Sequence, residues 1–156
     1  MIDAGLIAQA TMRNRQRQRR AHGAQAESII PARLRALGFH LVERVHTPWQ
    51  IMRGVNGRIT SAFPLEKVSG DFRCVAPGGR SVLVEVKSRS RRLPYSAVER
   101  HQALALDQHY LAGGMSLLAW VSPEGVVILD YPRLDLQPRQ SLTWAEAIRH
   151  HARVDR

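Results

Sequence analysis

Apolar and polar positions alternate most clearly in Ser81-Val82-Leu83-Val84-Glu85-Val86-Lys87. The β-branched Val82, Val84 and Val86 fall on one face of a strand, and Ser81, Leu83, Glu85 and Lys87 share the other. Pro77-Gly78-Gly79 just before it is a turn signal. A three-residue loop there pairs Ala76 with Arg80, so positions summing to 156 face each other and Asp71 stands opposite Glu85. A two-residue loop would put Asp71 in the wrong register.

Other segments read less sharply. Over 23–37 the apolar positions Ala26, Ile29, Ile30, Leu34 and Leu37 recur at helical spacing, and Gly38 is the expected stop. Pro31 removes a backbone donor inside that run and predicts a kink or a restart. A strand is expected over 39–47, bounded by Pro48, followed by a two-strand excursion around Asn56-Gly57 with Ile51 and Ile59 on its flanks. Ser96 and Glu99 form a capping-box pattern opening a helix whose stripe includes Val98, Leu104, Ala105 and Leu111, and Gly113-Gly114 ends it. Strands over 115–121 and 125–131 follow, and Thr143-Trp144-Ala145-Glu146 starts a short terminal helix. This order predicts an α/β fold, a mixed central β-sheet flanked by helices.

The hairpin carries the chemistry. Directly opposed residues place their Cβ atoms roughly 4.5 to 5.5 Å apart, close enough for Asp71 and Glu85 to share one divalent ion. Two carboxylates at that separation raise one another's pKa unless a cation compensates. Oxygen-only ligation suits Mg²⁺ or Mn²⁺ better than Zn²⁺. Lys87, on the same face, is placed to orient or help deprotonate an attacking water, or to neutralise charge in a phosphoryl-transfer transition state. The bland alternative is an ordinary surface ion pair between Glu85 and Lys87. It sits poorly with a Val-rich strand that reads as buried.

At 156 residues and 44% hydrophobic content the chain is long enough for one domain with a core. Its net charge of +10, with a pI near 11.3, points to a polyanionic partner, and nucleic acid fits better than a membrane because no apolar stretch is long enough to span one. Residues 1–22 read as a basic arm before a domain over 23–156. Arg13, Arg15, Arg17, Arg19 and Arg20 there, with Arg89, Arg91 and Arg92 after the hairpin, are candidate DNA-backbone contacts. The bland reading of the arm is a solvated tail, and an organellar transit peptide is a lesser alternative. The lone Cys74 shares the face of Val82 and is expected as reduced core packing in a cytoplasmic protein, of a bacterium or a phage-infected host. The pair His150-His151 is expected to be solvated, since the histidines show no regular metal-ligand spacing.

Four pieces in order, Gly23-Ala24-Gln25-Ala26-Glu27, Gly70-Asp71, Glu85-Val86-Lys87 and His101-Gln102 followed by Gly113-Gly114, resemble the PD-(D/E)XK nucleases. Within that superfamily they resemble the Holliday junction resolvases of the RecU-like and phage type. The resemblance spans residues 23 to about 121 and implies a restriction-endonuclease-like fold. It also implies Glu27, Asp71 and Glu85 around a metal ion, the Val86 carbonyl as a further ligand, Lys87 at the attacking water and Gln102 supporting the site. Gly70 stands where the motif has Pro. Read locally, Glu27 is a solvated helix residue and Gln102 an exposed polar group. The implied activity is Mg²⁺-dependent cleavage of branched DNA in recombination, repair or phage replication, by a homodimer that makes paired nicks. A flap, single-strand or restriction-like nuclease, a ribonuclease, and a non-catalytic DNA-binding protein of the same fold are the alternatives.

Overall fold

The structure is a computed structural model that describes residues 28–64 and 70–151. Helix α1 covers 28–36. It is followed by β1 (His40–Arg44), β2 (Trp49–Arg53), β3 (Ile59–Pro64), β4 (Phe72–Val75), β5 (Ser81–Ser88) and β6 (Arg92–Pro94). Then come α2 (Arg100–Leu111), β7 (Met115–Ser122), β8 (Gly125–Asp130), β9 (Ser141–Thr143) and α3 (Trp144–Arg149). The central sheet has five strands in the order β1-β4-β5-β7-β8, and only β5 and β7 run parallel. This is the mixed α/β sheet with flanking helices that the order of elements predicts. No described helix is long and apolar enough to cross a membrane.

The hairpin register follows from its turn. Ala76 N–H donates to the Arg80 carbonyl at 2.8 Å, and Phe72↔Val84, Arg73↔Leu83, Cys74↔Val82 and Val75↔Ser81 all sum to 156. Gly78 and Gly79 both have φ near +85°, a region that side chains other than hydrogen rarely adopt, which is why this loop closes in three residues.

Alternation then divides the sheet into two faces. On one, Ile30 and Leu34 of α1 pack with Phe72, Cys74, Val82, Val84, Leu117, Ala119 and Ile128. The helical run continues through Pro31 without interruption, and α1 stops at Gly38 (φ +92°), where the N–H groups of Gly38 and Phe39 return to the Arg35 and Leu34 carbonyls. Cys74 is buried here, and burial pushes its thiol up to about 11, so it stays a neutral packing group. On the other face Leu118, Trp120, Val127 and Leu129 pack with Leu93 of β6, Ala97, Leu142 of β9 and Ala147 of α3.

Besides the restart expected at Pro31, the helix after β6 and the strand after α1 need correction. The helix after β6 opens at Glu99 rather than Ser96, because a 3₁₀ turn (Tyr95–Ala97) follows Pro94 and the capping box is made by Glu99 with Gln102. Its buried apolar residue is Leu106, while Leu104 and Leu111 are exposed; Gln102 and Leu106, four apart, form the row turned to the sheet. The strand after α1 covers His40–Arg44, shorter than 39–47, and a register shift between His40 and Glu43, with Leu41 at φ +49°, bends this edge strand. The excursion around Asn56-Gly57 is present as the β2–β3 hairpin, a separate two-stranded sheet that leaves Ile51, Met52, Ile59 and Phe63 exposed.

Candidate metal centre

The site lies where β4 stops short of the end of β5. Gly70, at φ +84°, turns the chain into β4, and Asp71 N–H donates to the Val84 carbonyl at 2.8 Å. Since the register pairs Val84 with Phe72, the ladder slips by one residue at Asp71. The Asp71 side chain occupies the place of the missing strand: its Oδ2 accepts the Val86 N–H at 2.7 Å. By alternation the Val86 carbonyl faces the same gap. A side chain at position 70 would collide with Leu83, so glycine is required there by space as well as by backbone angle.

Glu85 is 3% exposed and Lys87 12%. Their parallel-strand neighbours on β7 are Leu118 and Trp120, so the pair emerges from an apolar floor. Glu85 Oε1 accepts from Lys87 Nζ at 2.8 Å and from Gln102 Nε2, and Oε2 accepts the Gly70 N–H at 3.2 Å. Gln102 Oε1 accepts from Lys87 Nζ at 2.7 Å and from the Glu99 N–H at 2.9 Å. The capping box that opens α2 therefore also fixes which way the Gln102 amide points, with its oxygen to the ammonium and its nitrogen to the carboxylate.

Burial, and after it the charge of Asp71, hold the Glu85 carboxyl above its ordinary range; the Lys87 hydrogen bond and charge and the Gly70 N–H pull the other way but do not cancel the rise. A divalent cation is what this pair of carboxylates lacks electrostatically. The oxygen donors, the carboxylates of Asp71 and Glu85 and the Val86 carbonyl, are of the kind a hard, oxygen-preferring ion takes. Among the described residues no third acidic, histidine or cysteine side chain joins them.

The structure thus brings together Asp71, Glu85, Val86, Lys87 and Gln102. Glu27 and the arginines at 13, 15, 17, 19 and 20 lie outside the described residues. Arg89, Arg91 and Arg92 are exposed just beyond β5, and the chain there is anchored by Trp120 Nε1 to the Arg89 carbonyl (2.9 Å) and by Arg89 N–H to the Val121 carbonyl (3.0 Å). His151 is exposed but employed, its Nδ1 accepting the Ile128 N–H at 3.1 Å. Sequence reasoning missed Glu99 as the cap that orients Gln102. The E-x-x-Q spacing at 99–102 was the available signal, masked by the overlapping Ser96-x-x-Glu99 pattern.

No family model matches the sequence, and no curated protein matches it. Among solved structures the fold is similar to Hjc of Archaeoglobus fulgidus, a Holliday junction resolvase from an archaeal hyperthermophile. The two are 16% identical with a TM-score of 0.49, over 81% of this chain and 95% of that chain.

Proposed function

We propose that this protein is a divalent-metal-dependent endonuclease that cleaves DNA, with branched DNA such as a Holliday junction as its substrate. The observation that carries the reading is the cluster of Asp71, Glu85, Lys87 and Gln102 at the end of β5, with two carboxylates and an ammonium on an apolar floor. A surface ion pair would not need Glu85 buried to 3% or a glutamine bridging both partners.

Asp71, Glu85 and the Val86 carbonyl would hold the ion, with Glu27 as a further acidic group. Mg²⁺ or Mn²⁺ bound there would polarise the scissile phosphate and offset charge on the departing oxygen. Lys87, held between Glu85 and Gln102, would orient the attacking water and set its positive charge against the phosphoryl oxygens in the transition state. Gln102 acts through these two and keeps them in register. The exposed Arg89, Arg91 and Arg92, with the basic arm over 13–20, bind the DNA backbone without reading sequence. Two nicks placed symmetrically across a junction call for a homodimer.

The test is incubation of the full chain with labelled four-way junction, flap, single-stranded and linear duplex DNA, in Mg²⁺, Mn²⁺ or EDTA, beside Lys87→Ala. Metal-dependent symmetric nicks near the junction centre, absent in the variant, are expected. Cutting of another substrate would retain the nuclease and overturn the junction. Tight binding without cutting would favour a non-catalytic DNA-binding protein.

A further inference from the structure

Strand β4 alternates between the core and an uncovered face. Phe72 and Cys74 are buried against α1 and its neighbours, while Arg73 between them is exposed. Register places Arg73 opposite Leu83 of β5 on one side and Glu43 of β1 on the other. Leu83, Glu85 and Lys87 share a face, so Arg73 stands on the sheet face of the candidate metal centre, two residues along from Asp71. α2, α3 and the β6–β9 pair cover the β5, β7 and β8 part of this face, but Arg73 and Glu43 on β4 and β1 remain exposed.

The Arg73 side chain makes no hydrogen bond or ion pair among the described residues, and Glu43, its direct cross-strand neighbour, does not come within ion-pair distance. A guanidinium offers five donors in a planar fork that matches the two free oxygens of a phosphodiester. We propose that Arg73 holds a backbone phosphate of the bound DNA strand beside the one being cut, setting where that strand lies over Asp71 and Glu85. This rests on the nuclease reading for its position relative to the cut. A phosphate contact from this residue orients the strand without reading a base.

The test uses the full-length protein and fluorescently labelled four-way junction DNA, with binding measured in Ca²⁺ over a range of salt. Wild type, Arg73→Ala, Arg73→Lys and, as a control, Arg133→Ala beyond the far edge strand are compared, with melting temperatures to show that each is folded. Arg73→Ala should weaken binding roughly tenfold and lower the slope of log affinity against log salt by about 1. Arg73→Lys should restore the slope but only part of the affinity. A single methylphosphonate is then moved along the strand, removing one backbone charge at a time. At one position next to the cut it should weaken wild type yet leave Arg73→Ala unchanged, which a structural role for the arginine would not produce. The inference is overturned if Arg73→Ala behaves like Arg133→Ala, if every methylphosphonate affects both proteins alike, or if wild type does not bind DNA. Should wild type bind but fail to cut in Mg²⁺ or Mn²⁺, the nuclease reading falls, and the position-specific methylphosphonate effect still decides the contact.

Discussion

Replacing Gln102 by alanine removes three hydrogen bonds at once: to Glu85, from Lys87 at 2.7 Å, and from the Glu99 N–H at 2.9 Å. The first two involve charged groups, and each such bond contributes about 1.5 to 3 kcal/mol, most where the partner left behind is buried as Glu85 is. The third is half of a capping box and adds about 1 kcal/mol. Gln102 is half-buried, so water entering the space replaces part of what is lost. A net destabilisation of about 2 to 4 kcal/mol remains. For a domain of this size the melting temperature falls by roughly 5 to 15 °C. Thermal unfolding in EDTA measures it, and single-turnover DNA cutting measures the accompanying loss of activity as Lys87 and Glu85 lose their common anchor. Gln102→Glu should be as harmful despite its size, because it places an acceptor where Glu85 needs a donor. A loss below about 0.5 kcal/mol in both variants, the level of an ordinary surface substitution, would refute the bridging role.

Glu85 binds its proton more tightly in the folded protein than in the unfolded chain, first because it is buried and then because Asp71 is negative. That contribution to stability is fully present below the ordinary carboxylate value of 4.5 and is lost as pH rises through the higher folded value. Melting temperature in EDTA should therefore decline over that interval in wild type relative to Glu85→Gln; parallel curves would contradict it. Arg80 donates from Nε to the Gly113 carbonyl at 2.7 Å and from Nη2 to the Gly114 carbonyl at 2.9 Å, tying the hairpin turn to the end of α2. Arg80→Ala should cost about 1 to 3 kcal/mol in denaturant unfolding while sparing the cutting rate per folded molecule. Gly70→Ala forces a Cβ into Leu83 at a left-handed backbone angle, so cutting should be lost and stability reduced by about 1 to 3 kcal/mol. Wild-type cutting by Gly70→Ala would show that the turn into Asp71 tolerates displacement.

The hairpin was legible because its information is local. Pro77-Gly78-Gly79 sets the loop length and loop length sets the register from Val75↔Ser81 to Phe72↔Val84, while the one-residue slip at Asp71, which brings its carboxylate to the Val86 N–H instead of opposite Glu85, was not legible. The helix end at Gly38, the Asn56-Gly57 hairpin and the Thr143/Glu146 cap of α3 were legible for the same reason. What escaped depends on residues distant in sequence. The β6–β9 pair joins Leu93 to Leu142 across about fifty residues, with strands too short to show a period. Arg80 reaches the turn after α2, thirty-three residues away at Gly113, and nothing near it signals the contact. The row of α2 facing the sheet was misread because it carries Gln102 as well as Leu106, and a polar side chain serving the site breaks the apolar stripe that identifies a buried face. Arg73 was overlooked since it lies outside any basic run, and only the uncovered side of β4 gives it meaning.

On the proposed function, Asp71 and Glu85 together would hold the divalent ion required for DNA cleavage. The most direct test is single-turnover cutting of a four-way junction by wild type and Asp71→Asn in Mg²⁺, with junction binding measured on the same samples. Asp71→Asn, folded and binding DNA with near wild-type affinity, should lose cutting by at least about a hundredfold, as removal of a group that stabilises transition-state charge does. Undiminished cutting by the variant, or cutting by wild type that persists in EDTA, would contradict this assignment.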